Sequence, residues 1–283
     1  MRYGFVASSG TATQVVQMAS EMEAAGWDGY FTWDAISIGA MDTWDPWTIL
    51  GAAAVTTSRV TLGAMIFPLA RRRPWKVARE VLTVDHLSGG RLVLPVGLGV
   101  PDDAGVSRVS GEAATVRERA ERLDDALAIL ERAATGRPFT WSGEHLSVTG
   151  LHIAPPTVQQ PRVPVWVVGA WPSERSMARA ARWDGVVLQR ARSMTPLTPA
   201  DVTEAAQWLE RRRARLRDEG VTIPDAYDVV VSDRSPDDPA LAADHVAAFG
   251  EAGATWWIEG RWDPQVDTHE ALVARVRQGP PVR

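Results

Sequence analysis

The sequence predicts a single (β/α)₈ barrel, an α/β fold of the TIM-barrel type in which each parallel strand is followed by a helix. Short β-rich runs alternate with longer helical patterns from end to end, and we count eight of each. Strict alternation favours parallel strands with right-handed crossovers, and a chain of 283 residues suits a barrel, whose usual length is roughly 250 residues. No Pro- or Ser-rich linker divides the chain, so we expect one domain over residues 1–283. An open doubly wound sheet is the alternative, because strand order cannot be read from a sequence.

Each predicted strand is a short run rich in apolar or β-branched residues. Val60–Phe67 is apolar throughout, as expected of a parallel strand that is buried on both faces. In chain order the predicted strands are Arg2–Ala7, Gly29–Trp33, Val60–Phe67, Arg91–Leu98, Val163–Val168, Gly185–Gln189, Ala226–Val231 and Thr255–Glu259.

The predicted helices are bounded by residues that start or stop helices. Gly26 and Ser88–Gly90 are C-terminal stops, and Pro46 suits the first turn of the second helix. In chain order the predicted helices are Thr13–Ala25, Pro46–Thr57, Pro74–Leu87, Ala113–Ala134, Ser173–Arg182, Pro199–Glu219, Pro239–Ala252 and Thr268–Gln278. The alternation breaks at residues 136–156, where we expect a short hairpin inserted on the periphery of the barrel.

Composition and charge exclude several function classes. The net charge of −5 provides no basic face for nucleic acid, and the absence of cysteine removes thiolate metal sites and cysteine nucleophiles. The five histidines form no H-x-H or H-E-x-x-H pair, so we expect no metal. No run reaches the roughly 18 apolar residues of a membrane span, and the N-terminus lacks a signal-peptide pattern. We therefore expect a cytoplasmic protein that acts on a small molecule and does not bind membranes.

Charged residues follow three of the predicted strands at the carboxyl end of the barrel, where the active sites of this fold lie. Asp34 follows the second strand, Arg71–Arg73 the third, and the Asp102–Asp103 pair comes shortly after the fourth. Two interpretations of the arginine run stay open: contact with a phosphate or polyanionic tail, or a solvated loop.

Several segments resemble one enzyme family and occur in that family's order. Residues 46–65 read PWTILGAAAVTTSRVTLGAM, and RRPWKVARE and LSGGRLVLPVGLG follow. Further on come PTVQQP with PVWVVG, then ARAARWDGV, and finally GATWW. These segments resemble the bacterial luciferase-like family of flavin- or deazaflavin-dependent oxidoreductases, over nearly the full length of the chain.

The resemblance implies a cofactor, either FMN or coenzyme F420, whose tricyclic ring lies across the carboxyl mouth of the barrel. It also implies a bulge with a non-prolyl cis peptide bond at the end of strand 3, which by register falls near Met65 and Ile66. Gly97 and Gly99 remove side chains at the end of strand 4, where a planar ring could approach the backbone.

For the cofactor phosphate we predict the start of the helix after strand 5. Free N–H groups and the helix dipole favour an anion there. The residues concerned are Gly169, Ala170, Trp171 and Ser173, with Arg190 after strand 6 as a partner. The loops after strands 7 and 8 are the commonest phosphate site in barrels, but here each carries an acidic residue that repels phosphate.

Asp34 is the predicted catalytic residue. The family often has an acidic residue followed by histidine after strand 2, but here the sequence is Trp33-Asp34-Ala35, so the acid is kept and the histidine is absent. The flanking residues provide no charge partner, and a desolvated carboxylate would have a raised pKa suited to proton transfer. The alternative is that Asp34 accepts backbone hydrogen bonds within its loop, which would lower its pKa.

Tryptophans at the carboxyl ends of the strands indicate an apolar pocket. Trp33, Trp44 and Trp262 fall at or after the ends of strands 2 and 8, whose neighbour in a closed barrel is strand 1. Indoles gathered there would form a wall for a hydrophobic substrate. We therefore assign these three residues to the substrate pocket.

Three functions remain in competition. The first is an oxidoreductase of the monooxygenase class that uses reduced FMN or coenzyme F420 on a small apolar organic substrate. The second is a non-catalytic flavin- or ligand-binding barrel, which Ala35 suggests. The third is a metal-free lyase or isomerase that uses carboxylates such as Asp34 and Asp102. We also expect a homodimer formed through the small residues Gly51–Ala54 of helix 2, because the family commonly pairs through this side of the barrel.

Overall fold

The fold is described from a computed structural model that covers residues 1–193 and 195–282. Its strands are β1 (Arg2–Val6), β2 (Gly29–Thr32), β3 (Thr61–Ala64), β4 (Phe67–Pro68), β5 (Leu94–Gly97), β6 (Phe139–Ser142), β7 (Ser147–Leu151), β8 (Val165–Trp171), β9 (Gly185–Arg190), β10 (Asp228–Asp233) and β11 (Trp256–Glu259). Its helices are α1 (Ala12–Ala24), α2 (Pro46–Thr56), α3 (Pro74–Ser88), α4 (Ala104–Ser107), α5 (Val116–Ala133), α6 (Glu174–Ala180), α7 (Pro199–Asp218), α8 (Pro239–Glu251) and α9 (His269–Arg277).

Nine of these strands are parallel and form one barrel, in the order β3-β2-β1-β11-β10-β9-β8-β5-β4. The two ends of the sheet meet where Leu62 of β3 pairs with Leu92, just before β5. There the Leu62 N–H donates to the carbonyl of Arg91, and the Val93 N–H donates to the carbonyl of Leu62, both at 2.9 Å. The predicted barrel is therefore confirmed, and the alternative of an open sheet is wrong.

The third strand of the barrel is divided into two pieces. β3 pairs with β2 and β4 pairs with β5, and the Met65–Ile66 peptide bond between the pieces is cis. The cis bond lies where the resemblance implies it. Counted as one position, β3 and β4 leave the eight strand positions that the sequence predicts. The continuous strand predicted over residues 60–67 is wrong only at this break.

The sequence pattern does not predict two short helices on the carboxyl side of the barrel. A 3₁₀ helix at Leu69–Arg71 follows β4, and the single turn of α4 follows β5. α4 begins where it does because the carboxylate of Asp103 accepts a hydrogen bond from the N–H of Gly105 at 3.0 Å. These turns bring Arg71 and Asp103 to the same side of the barrel mouth.

The segment at residues 136–156 contains the antiparallel hairpin β6–β7, which lies outside the barrel sheet. Its turn is held to α5 by the carboxylate of Asp125, which accepts the N–H groups of His145 and Leu146 at 2.8 and 3.0 Å. No helix in the described residues is long and apolar enough to cross a lipid bilayer.

Aromatic side chains fill the lower part of the barrel interior. The rings of Phe31, Trp166 and Trp256 pack together, with centroids 5.3–6.1 Å apart. They fit because glycine replaces a side chain beside them: a Cβ at Gly4 would lie 2.6 Å from the Phe31 ring, and one at Gly29 2.7 Å from it. This half of the barrel is therefore packed solid, which leaves the opposite end for a ligand.

Candidate active site

The carboxyl ends of the strands form an open mouth above the packed interior. The interior cluster consists of Val6, Phe31, Val93, Trp166, Val187, Val230, Trp256 and Ile258. Since side chains alternate along a strand, the residues two positions further on extend from the same side and line the mouth. On this basis the mouth is lined by Ser8, Trp33, Gln189, Ser232 and Gly260, together with Met65 and Val168, which pack partly exposed on the cluster.

One side of the mouth is covered by aromatic rings. Trp33 and Trp262, both predicted for the substrate pocket, meet edge to face with centroids 5.6 Å apart. Trp33 is 8% exposed and Trp262 is 41% exposed, so one indole supports the other at the surface. Gly260 makes this arrangement possible, because a Cβ there would lie 2.9 Å from Nε1 of Trp262. The third predicted residue, Trp44, donates its indole N–H to the carbonyl of Gly10 at 2.9 Å.

The carboxylate of Asp34, the residue after Trp33, is paired on both oxygens. Arg71 donates to Oδ1 at 2.5 Å, and Arg72 donates to Oδ2 at 3.0 and 2.8 Å. The Asp34 side chain is 1% exposed. The expectation that Asp34 has no charge partner is wrong, because Arg71 and Arg72 from the loop after β4 bind it. The alternative of local backbone donors is wrong as well, because within the described residues the side-chain hydrogen bonds of Asp34 come from these two arginines.

The same contacts correct the interpretation of the arginine run. Arg71 and Arg72 are neither a free anion site nor a solvated loop, because each is bound to a buried carboxylate. Only Arg73 is exposed, where it lies over the ring of Trp75. A run of three like charges gives no indication from sequence that two of its members turn inward.

Asp103 completes the cluster and joins three loops. It pairs with Arg71, and its carboxylate also accepts the N–H groups of Ile36 and Ser37 from the loop after β2. Burial raises the pKa of Asp103, but the backbone donors Ser37, Gly105 and Ile36, together with Arg71, outweigh it and hold that pKa below its usual value. The two aspartates and two arginines balance in charge, which a buried group of ions requires.

Two further charged side chains near strand ends, Arg190 and Glu259, are paired as well. Arg190, the predicted phosphate partner, donates to Asp201 at 2.5 Å and to the carbonyl of Pro196 at 3.2 Å. The buried carboxylate of Glu259 accepts from Arg261 at 3.0 Å. These ions lie beside the mouth and their charges are neutralised by partners within the protein.

The predicted ring-binding residues lie together where β3, β4 and β5 end. A Cβ at Gly97 would lie 2.2 Å from Cδ1 of Ile66 and 2.9 Å from Cγ2 of Val168, so glycine is required for this packing. Gly99 has a φ of +78°, a left-handed conformation that glycine adopts readily. Met65 and Ile66 are both partly exposed at this edge.

At the predicted phosphate site, several donors are already engaged. Ser173 precedes α6 without a capping hydrogen bond from its side chain, and its N–H donates to the carbonyl of Ala170 at 2.7 Å. The Ala170 N–H donates to the hydroxyl of Ser176 at 3.0 Å. Gly169 is buried and Trp171 is partly exposed at the end of β8. The assignment of phosphate to this corner stays a prediction.

Two polar residues of the mouth, Gln189 and Ser232, were outside the sequence prediction. They can be found from the alternation of side chains along a strand. Val187 and Val230 face the interior, so Gln189 and Ser232, two residues further along the same strands, extend from the same side. Within the described residues, no group of three or more His, Cys, Asp or Glu side chains is arranged to hold a metal ion.

A separate depression lies outside the barrel, between α3, α5 and the strands β5 and β8. Its lining is apolar, including Leu82, Leu127 and Val163, with Glu131 and Arg162 at its edge. It lacks the convergent polar groups of a ligand site. We therefore place the candidate site at the mouth, where barrel enzymes carry their chemistry.

The chain matches one known protein family over most of its length. The family model described as luciferase-like monooxygenase matches residues 3–252. The chain belongs to the luciferase-like monooxygenase family. An uncharacterized protein of Mycobacterium tuberculosis is 29% identical over 237 residues, which cover 83% of this chain and 76% of that protein.

Solved structures of the luciferase-like fold superimpose over nearly the whole chain. An F420-dependent secondary alcohol dehydrogenase, in complex with an F420-acetone adduct, has a TM-score of 0.80 at 17% identity, covering 100% of this chain and 99% of its own. A monooxygenase from Streptomyces bottropensis has a TM-score of 0.78 at 17% identity, covering 98% and 97%. A type II Baeyer-Villiger monooxygenase of Pseudomonas putida, in complex with FMN, has a TM-score of 0.75 at 14% identity, covering 99% and 98%. At these identities the likeness establishes the fold.

Proposed function

We propose that the protein is an oxidoreductase that binds FMN or coenzyme F420 at the barrel mouth and acts on a small apolar organic substrate. Family membership supports this, and one observation carries it: the mouth is lined by apolar and neutral polar side chains, while the adjoining charges are paired elsewhere. Asp34 is bound by Arg71 and Arg72, and Arg190 by Asp201. A flat tricyclic ring and an apolar substrate match such a lining.

The residues present fit the cofactor. Met65, Ile66 and Gly97 form a surface without charge beside β5, against which a ring can lie, and the corner Gly169–Ser173 remains our candidate for the phosphate. When bound, reduced FMN would supply electrons for oxygenation by O₂, whereas coenzyme F420 would supply hydride transfer. The chain's own contribution is to orient the ring and to exclude water, with Trp33 and Trp262 covering one side.

Asp34 enters this proposal as a positioning residue. Its two oxygens accept hydrogen bonds from Arg71 and Arg72, so its carboxylate fixes the loop after β4 relative to the loop after β2. We therefore assign Asp34 the task of holding the residues around Met65 and Ile66, in place of proton transfer.

The test is a titration followed by a turnover assay. The purified protein is titrated with FMN and with coenzyme F420, and ring fluorescence reports binding. Turnover is then measured with a panel of ketones, alcohols and alkanes, with reduced FMN and O₂ in one series and F420 in the other. Binding of one cofactor together with product formation supports the proposal. Failure to bind either ring contradicts it.

The second candidate is a barrel that binds the cofactor without catalysis. One observation favours it: Ala35 occupies the position where the family often has histidine, and the adjacent Asp34 is fully paired. If the protein binds the cofactor without catalysis, the titration should show tight binding of FMN or coenzyme F420, and no member of the panel should give a product. The same two measurements therefore separate the candidates.

A further inference from the structure

Two neutral polar side chains, Gln189 and Ser232, occupy the mouth at the ends of neighbouring strands. Val187 of β9 pairs in register with Val230 of β10, and both belong to the interior cluster. Gln189 and Ser232 follow each of them by two residues, so they extend from the same side of the sheet at the same height. The Ser232 hydroxyl lies beside β11, because a Cβ at Gly260 would be 3.2 Å from its oxygen.

Within the described residues neither side chain has a hydrogen-bond partner. This differs from the other polar groups around the mouth: the Ser8 hydroxyl donates to the carbonyl of Arg261 at 2.5 Å, and Asp34 is paired twice. Gln189 is exposed and Ser232 partly exposed, although both continue an interior series. An amide and a hydroxyl together offer both donors and acceptors to a ligand at this place.

The facing side of the mouth is apolar. Met65 packs on the interior cluster, and Ile66 lies against the position where Gly97 lacks a side chain. Val168 of β8, the strand next to β9, extends this apolar surface toward Gln189. The mouth therefore has a polar part on β9 and β10 and an apolar part that extends from β3 through β5 to β8. Flavin and deazaflavin rings are uneven in the same way, because a pyrimidine-dione edge with two carbonyls and an imide N–H is fused to a less polar benzenoid end, which carries two methyl groups in FMN and one hydroxyl in coenzyme F420.

We propose that Gln189 and Ser232 bind the pyrimidine-dione edge of the cofactor ring and so determine which way the ring faces in the mouth. The Gln189 amide accepts the imide N–H through its oxygen and donates to a ring carbonyl, and the Ser232 hydroxyl donates to a carbonyl of the same edge. This inference rests on the proposed function, because it assigns residues within that site.

The test uses rings without a phosphate, so that only ring contacts are measured. Lumiflavin and the corresponding 5-deazaflavin are titrated against the wild type, Gln189→Met and Ser232→Ala, with ring fluorescence as the readout. Loss of one or two hydrogen bonds should weaken binding by about tenfold in Gln189→Met and by a few fold in Ser232→Ala. Gln207→Met, at an exposed position on α7, is the matched control and should bind as the wild type does.

A second ligand sharpens the assignment to the imide edge. Methylation of the ring imide nitrogen removes the N–H that Gln189 would accept, so N3-methyllumiflavin should bind the wild type more weakly than lumiflavin. In Gln189→Met the same methylation should cost much less, because the partner is already absent. Thermal unfolding of each variant verifies that the fold is retained.

The possible outcomes are distinct. Equal affinity in the wild type, Gln189→Met and Ser232→Ala would overturn the inference while leaving the proposed function standing. So would a methylation penalty that is the same in the wild type and in Gln189→Met. A wild type that binds neither ring nor FMN nor coenzyme F420 would overturn the proposed function and this inference with it.

Discussion

The two ends of the barrel differ in how far side chains fill the interior. In the amino-terminal half, the rings of Phe31 and Trp256 occupy the interior, and glycines such as Gly4 give them room. At the carboxyl end the interior series stops with partly exposed side chains such as Met65 and Val168. The first end is packed for stability, and the second is left open with a neutral lining.

The carboxylates at the two ends of the barrel differ in the kind of hydrogen-bond donor that binds them. Glu23, in the last turn of α1, accepts the N–H groups of Ser58, Arg59 and Val60, which come from the loop before β3. At the mouth, Asp34 is satisfied by arginine side chains. Both carboxylates connect segments that are 35 to 38 residues apart in sequence, but the donors are backbone N–H groups at the amino end and arginine side chains at the mouth. The difference shows how a barrel can stiffen the loops around a mouth and still leave the mouth uncharged.

Removal of the Asp34 charge should give the largest effect. In Asp34→Asn the partly buried Arg72 loses its only carboxylate among the ion pairs of the described residues, and Arg71 keeps Asp103 alone. Breaking one partner of a buried pair costs about 3–5 kcal/mol of unfolding free energy. Urea denaturation of the wild type and the variant measures this difference.

Asp102→Asn is the matched control for this variant, because Asp102 is exposed beside the same cluster. Its unfolding free energy should stay within about 0.5 kcal/mol of the wild type. A normal stability for Asp34→Asn together with a loss of turnover would contradict the positioning role and return Asp34 to proton transfer. Loss of activity in Asp102→Asn with normal stability would favour the carboxylate-based lyase or isomerase.

Two glycine substitutions test whether the two ends of the barrel have different roles. Gly4→Ala places a Cβ 2.6 Å from the rigid Phe31 ring, and overpacking of this kind costs about 2–3 kcal/mol. In Gly97→Ala the nearest atom, 2.2 Å away, is the end of the flexible Ile66 side chain, so we expect about 1 kcal/mol. Ring binding should respond in the reverse order, with a clear loss only for Gly97→Ala. Equal effects of both variants on ring affinity would break the distinction between a structural end and a binding end.

Much of the fold could be predicted because it depends on local patterns. Alternation and helix stops such as Gly26 indicate the eight units, and the family motifs indicate the cis bond at Met65–Ile66. The pairing of Asp34 with Arg71 and Arg72 could not be predicted, since these residues are 37 and 38 positions apart and meet only when β2 and β4 are in place. A sequence shows which residues carry charge, but the choice of partner depends on three-dimensional packing.

The residues of the candidate site also divide into those that the sequence predicts and those that it does not. Trp33 and Trp262 could be assigned to the mouth because each lies at or after the end of a predicted strand, and the structure brings their rings into contact. Gln189 ends a predicted strand and Ser232 follows one, and both were missed because a polar residue at a strand end does not indicate which side of the sheet it faces. Their position becomes informative only when Val187 and Val230 are known to face the interior.

Lowering the pH should remove the stabilisation that the Glu23 carboxylate provides at the amino end of the barrel. Burial raises the pKa of Glu23, but the donors at Arg59, Ser58 and Val60 outweigh it and lower that pKa to about 2. Because the unfolded chain binds this proton near pH 4.3, the stabilisation is complete above that pH and is lost as pH falls toward 2. Allowing for the partial exposure of the side chain, we expect about 1–2 kcal/mol.

The measurement is the unfolding free energy of the wild type and Glu23→Gln between pH 2 and pH 6. The two should differ at pH 6 and converge at the acid end, while Glu204→Gln, at an exposed position on α7, should follow the wild type throughout. A constant difference at every pH would mean that Glu23 stabilises the fold by packing. Asp103, whose pKa is also lowered, should leave a residual acid dependence in Glu23→Gln.

The smallest effect on stability should come from the flank of the barrel, which belongs to neither end. On α2, Ala53 and Ala54 are buried against the barrel, while Gly51 and Ala52 are partly exposed and Val55 is 65% exposed. We expect this outer strip to pair two chains across more than about 1,000 Å² of interface. Val55→Arg should then convert a dimer to a monomer in light scattering at micromolar concentration, with stability and ring affinity nearly unchanged. Val116→Arg, at an equally exposed apolar position on α5, should leave the mass of the wild type. A wild type that is already monomeric would contradict the prediction, and a loss of ring binding on monomer formation would mean that the mouth depends on the partner chain.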